Sequence, residues 1–189
     1  MKKIILMACG AAALAVGPGQ AQDMSGLLGA LNSMMSATGQ QAVAVADFRE
    51  MKALLPESFG AFKRTRAGGE KNSAMGMTIA QADGEYKSGD ANITIKLMDY
   101  GGTGMAGMMA AGWSMSEVDR ESDTGFERSI TIKGHKALEK FDTQYKSGEI
   151  QILVAGRFMV EINGNDCTDK DIRAAADALD LAKLAALKK

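Results

Sequence analysis

The chain has 189 residues, with 22 basic and 23 acidic side chains and a formal net charge of −1. That balance excludes a nucleic-acid groove, which needs a dense basic patch. Two cysteines and one histidine exclude a disulfide-stapled small fold and a zinc centre built on several imidazoles.

The first residues, MKKIILMACGAAALAVGPGQAQD, predict export. Lys2 and Lys3 form a basic start, Ile4 to Val16 is apolar and uncharged, and Gly19 and Ala21 are small where a signal peptidase reads. Residues 1–21 are therefore expected to be a signal peptide cleaved after Ala21. The apolar run falls short of the ~20 residues that span a bilayer. Leu6-Met7-Ala8-Cys9 is similar to a lipobox, so a lipid anchor through Cys9 is the alternative. Loss of Lys2 and Lys3 leaves 20 basic against 23 acidic side chains, a net charge near −3, with Cys167 as the lone thiol. A lone thiol forms no internal disulfide and is most often a small, partly buried residue.

Beyond the signal peptide, residues 22–46 read as a helix and linker. Leu27, Leu28, Leu31, Met34 and Met35 form one stripe at helical spacing within Ser25 to Ala37. Residues 47–189 read as a single α+β domain. Asp47 is placed to cap a short helix over DFREMKALL, which Pro56 ends. Strands are expected over Phe62–Ala67, Met75–Tyr86 and Ala91–Tyr100; in the last, Ile93, Ile95 and Leu97 alternate with Asn92, Thr94 and Lys96. Further strands are expected over Phe126–Lys133, His135–Tyr145, GEIQILVAG and RFMVEIN. Glu117 to Arg128 mixes charges and reads as a solvated loop and strand edge. Asp166 or Thr168 starts the closing helix, with Ile172, Ala176 and Leu179 on one side and an apolar face continuing through Leu181, Leu184 and Leu187. The fold class that follows is α+β: an antiparallel, meandering sheet of about five to seven strands with helices packed on one face.

YGGTGMAGMMAAGWSM, Tyr100 to Met115, holds four methionines, five glycines and the only tryptophan, without a charge. Thioethers suit Cu(I), which makes Met105, Met108, Met109 and Met115 copper candidates. The same stretch could present Met105, Met108, Met109 and Trp113 to a partner or a membrane. Packing is the stronger reading, because methionine fills irregular gaps and glycine lets a helix sit close to a sheet. His135 reads as a surface residue beside a turn. Gly112-Trp113-Ser114-Met115-Ser116 lacks the second glycine of a nucleophile elbow. Asn163 to Asp171 is rich in oxygen but misses calcium-loop spacing, so it reads as a strand-to-helix turn with an N-cap. Neither a Walker loop nor a dinucleotide fingerprint occurs.

LLPESFGAFKRT, GMTIAQADGEY, the Met- and Gly-rich stretch, TGFERSITIKGHKALEKFD and VEINGN…ALDLAKL together resemble a group of exported bacterial proteins built on one small α+β domain of unknown function. The resemblance covers residues 47 to 187 and rests on packing and turn residues. The hairpin-rich layout is also similar to PsbP/Mog1-like domains, which implies an accessory or binding module. The expected function is thus an exported, non-catalytic accessory or binding domain of the bacterial cell envelope, periplasmic or secreted. It would meet an envelope protein or lipid partner, with no cofactor, no nucleic acid and no transmembrane helix after cleavage. The alternative is a membrane- or lipid-associated protein using residues 102–115, or a Met-ligated copper protein.

Overall fold

Alternating apolar and polar side chains between Phe62 and Asn165 build the main element, a nine-stranded antiparallel sheet. The computed structural model describes residues 44–74, 77–101, 111–112 and 117–188, all in the unit Gln40–Lys189. The signal peptide at 1–21, the helix expected over Ser25 to Ala37 and Met75 lie outside the described residues. The strands are β1 (Ser58–Phe59), β2 (Phe62–Ala74), β3 (Met77–Ser88), β4 (Ala91–Asp99), β5 (Asp119–Ser122), β6 (Gly125–Ile132), β7 (His135–Asp142), β8 (Ser147–Val154) and β9 (Phe158–Asn165). Their spatial order is β1-β2-β3-β4-β9-β8-β7-β6-β5. Two meanders, β1 to β4 and β5 to β9, therefore join where β4 pairs with β9.

The sheet exceeds the five to seven strands expected from sequence. The two additional strands are β1, two residues long, and β5, four residues that are all exposed. Neither is long enough, with one face buried, to leave a period-2 signature. Strand β2 also runs past Ala67, because Gly68 and Gly69 continue the ladder opposite Asp83 and Ala82 instead of breaking it.

The register puts one apolar set on one face. Ile93, Ile95 and Leu97 of β4 stand beside Gly164, Ile162 and Val160 of β9, and Ile150 and Ile152 of β8 extend the row. Tyr86 and Ala82 of β3 complete it on the other side, and all of these apolar side chains are buried. Each large side chain so buried contributes roughly 1.5–3 kcal/mol relative to exposure.

Three short helices pack on this face among the described residues. Helix α1 (Phe48–Ala53) is capped by the Asp47 carboxylate, which accepts from the Arg49 N–H at 2.8 Å, and it buries Met51. Helix α2 (Asp169–Ala178) starts with a capping box between Thr168 and Asp171 and buries Ile172, Ala175 and Ala176. Helix α3 (Leu181–Ala186) is a separate element, not a continuation: Leu179 turns extended at ψ 136° and Asp180 caps a new start.

Glycine explains how closely α2 approaches. Gly148 and Gly164 are partners across β8 and β9. A Cβ on Gly148 would come within 2.7 Å of Ile172 and one on Gly164 within 3.1 Å, so the helix rests on bare backbone. Phe48 of α1 lies over Gly69 in the same way, 2.7 Å from where a Cβ would stand.

Candidate functional site

The residues singled out for copper or partner contact, Met105, Met108, Met109, Trp113 and Met115, lie outside the described residues. Within that stretch Ala111 and Gly112 are described; both are helical and exposed. His135 opens β7 and is half-buried, beside a shallow recess walled by Leu179, Asp180 and Leu181. It is less open than a surface residue because the α2–α3 break folds down beside it. Cys167 is buried. Burial above all, with the Asp171 and Asp166 charges adding to it, pushes its thiol up to about 11, which leaves it protonated at neutral pH. The oxygen-rich turn at Asn163 to Asp171 is occupied by its own cap: Asp171 accepts from the Thr168 N–H at 2.9 Å and from its hydroxyl at 2.7 Å. Among the described residues no group of three His, Cys, Asp or Glu side chains converges as metal ligands would.

Among the described residues the buried charges lie elsewhere, in two clusters. In the first, Asp99 at the end of β4 is fully buried and Arg157, in the β8–β9 turn, nearly so. The Asp99 Oδ1 accepts from Arg157 Nε at 2.8 Å and from the Gly101 N–H at 2.8 Å. Its Oδ2 accepts from Arg157 Nη2 at 2.7 Å and from the Ala46 N–H at 2.7 Å. Arg157 Nη2 also donates to the Ala44 carbonyl at 2.8 Å. One carboxylate thus ties the incoming chain at Ala44–Ala46 to two distant strands. With four donors around two oxygens, it has no free acceptor with which to take a substrate proton.

In the second cluster Glu139 of β7, only 2 % exposed, accepts from Arg128 of β6 at 2.9 Å and from Arg173 of α2 at 2.6 Å and 2.5 Å. Burial alone would raise the Glu139 carboxyl, but the hydrogen bonds and charges of Arg173 and Arg128 outweigh it and hold the group below its ordinary range. Arg128 also lies over the Phe126 ring, 4.1 Å from its centroid. The Arg173 contact pins α2 to the strands beneath. Among the described residues no buried side-chain nitrogen or oxygen lacks a partner.

Neither cluster was singled out by sequence, although parity carried a signal for both carboxylates. Asp99 continues the inward series Ile93, Ile95, Leu97, and Glu139 sits between inward Ala137 and Phe141. A charge at an inward position demands a buried partner. Arg157 sits within a tight turn and left no such mark.

The opposite face of the sheet is polar over much of its area, with Asp83, Glu85, Thr94, Lys96, Gln151, Glu161 and Asn163 half-buried or partly open. No helix among the described residues is long and apolar enough to cross a membrane. No family model matches the chain, and comparison with curated proteins and with solved structures likewise finds no match.

Proposed function

We propose that the chain is an exported, non-catalytic accessory or binding domain of the bacterial cell envelope. The observation that carries this reading is the saturation of the buried charges among the described residues. Asp99, Arg157 and Glu139 are all consumed in holding strands, helix and incoming chain together. A reactive group needs an unspent donor or acceptor and a pKa near the working pH. The thiol of Cys167 and the Glu139 carboxyl are displaced away from neutrality instead. The basic, apolar and small-residue sequence of residues 1–21 supports export.

The second reading, a lipid-anchored envelope protein, rests on Leu6-Met7-Ala8-Cys9. The two are separated by fractionating a bacterial host that expresses the full chain and measuring the intact mass. A product beginning at Gln22 in the periplasm supports the soluble form. A membrane-bound product beginning at a diacylated Cys9 supports the anchor. An unprocessed chain in the cytoplasm sinks both.

A further inference from the structure

The backbone between Ala44 and Ala46 is held by a site built from two distant parts of the chain. Arg157 Nη2 donates to the Ala44 carbonyl at 2.8 Å, and Asp99 Oδ2 accepts from the Ala46 N–H at 2.7 Å. Asp99 is 0 % exposed and Arg157 4 %, so both bonds form out of water, where they are strongest. Both contacts read backbone: a carbonyl at one position and an N–H two positions on. An extended chain presents those two groups to the same side. Side chains add little. Ala44 is exposed, Val45 is half-buried, and Ala46 alone puts a methyl group into the core. Any extended segment with a small residue at the third position can make the same two bonds.

The segment can leave without the rest of the fold. Helix α1 has its own seat, with Met51 buried and Phe48 over Gly69. Asp47, extended at φ −68° and ψ 121°, stands between that helix and Ala46 and serves as the pivot. Release strands no charge. Arg157 Nε stays bonded to Asp99 Oδ1 at 2.8 Å and Nη2 to Oδ2 at 2.7 Å, and Oδ1 keeps the Gly101 N–H. Buried ion pairs are best attested where they fix register or run a switch, not as sources of stability.

We propose that Asp99 and Arg157 form a backbone-reading clamp that Ala44–Ala46 fills in cis, and that an extended, small-side-chain segment of a partner protein displaces this strap and takes its place. The clamp rests on the binding-domain reading above and deepens it, by naming the site and the class of segment it takes. Its failure leaves the export reading standing, because fractionation tests that separately.

Two measurements on the full chain test this. In native-state hydrogen exchange the Ala46 N–H should exchange roughly tenfold or more faster than the amides of Ile95 and Ile162, which lie in the central ladders, and low urea should hardly change its rate. Equal rates, or the same urea dependence, mean that the strap leaves only on global unfolding and overturn the proposal. Separately, Ala46→Pro removes the N–H that Asp99 reads and so vacates the clamp. A blocked Ala-Val-Ala-Asp peptide, the strap's own sequence, is then titrated by NMR. It should bind this variant roughly tenfold or more tighter than the unaltered chain, whose clamp is open only in the fraction of molecules with the strap out. Equal affinity, or no binding to a folded variant, overturns the proposal; if the variant does not fold, the exchange rates decide.

Discussion

Asp99 shows how one residue can hold three parts of a chain together. Its carboxylate receives Arg157 from the β8–β9 turn, the Ala46 N–H from the incoming segment and the Gly101 N–H just beyond β4. Removing one partner of a buried ion pair strands the other without solvent, which costs about 3–5 kcal/mol, whereas replacing both by apolar groups of similar volume is often close to neutral. Asp99→Ala should therefore lose about 3–5 kcal/mol of stability in urea unfolding. The double variant Asp99→Leu with Arg157→Met should recover a large part of that loss, because it leaves no unpaired charge. Equal loss in the single and double variants would show that the hydrogen bonds to Ala44, Ala46 and Gly101 matter more than the ion pair. The same scale shows what was legible in the sequence. Inward parity marks Asp99 and Glu139 as buried, but their partners, Arg157 and Arg173, lie 58 and 34 residues away along the chain, and nothing local announces them.

Elements with strong periodicity were readable and elements without it were not. The seven longer strands follow from alternation, and α1 and α2 follow from Asp47 and Thr168 as caps. Strands β1 and β5 escaped because two and four residues carry no period. The break between α2 and α3 escaped because Leu179 keeps the apolar pattern intact while its backbone turns away. What seats α2 on the sheet is the Gly148–Gly164 pair. Gly164→Ala should cost about 1–3 kcal/mol, the usual penalty for overpacking, since its Cβ would meet Cys167 Sγ and Ile172. Thermal unfolding checks this, and an unchanged melting temperature would mean α2 can lift off at little expense.

Glu139 gives the same helix a pH dependence. Its folded pKa is lowered, so its contribution to stability is complete above the ordinary glutamate range and is lost as pH falls through the lower folded value. The melting temperature should decline on that acidic limb, and Glu139→Gln should flatten it while lowering stability at neutral pH. An identical acid limb in both proteins would assign the decline to other carboxylates.

Across the described residues of the whole molecule, the strands at the two ends of the sheet carry features that disfavour pairing with other chains. Strand β5 is short, fully exposed and charged through Asp119, Arg120 and Glu121. Strand β2 carries a register shift between Arg64 and Arg66 and the basic residues Lys63, Arg64, Arg66 and Lys71. Short, charged and bulged edges are the ordinary defence against edge-to-edge association. On the half-open polar face of the sheet Asp83, Lys96 and Glu161 stand in a row across β3, β4 and β9.

An exported domain that works by contact, as proposed above, leaves the periplasm without a bound metal or lipid. Native mass spectrometry of the protein released gently from the periplasm of an expressing host tests it most directly. The expected species is residues 22–189 at its bare mass, alone or with a protein partner. A stoichiometric copper or lipid adduct surviving gentle release would contradict it and make the Met105 to Met115 stretch a site.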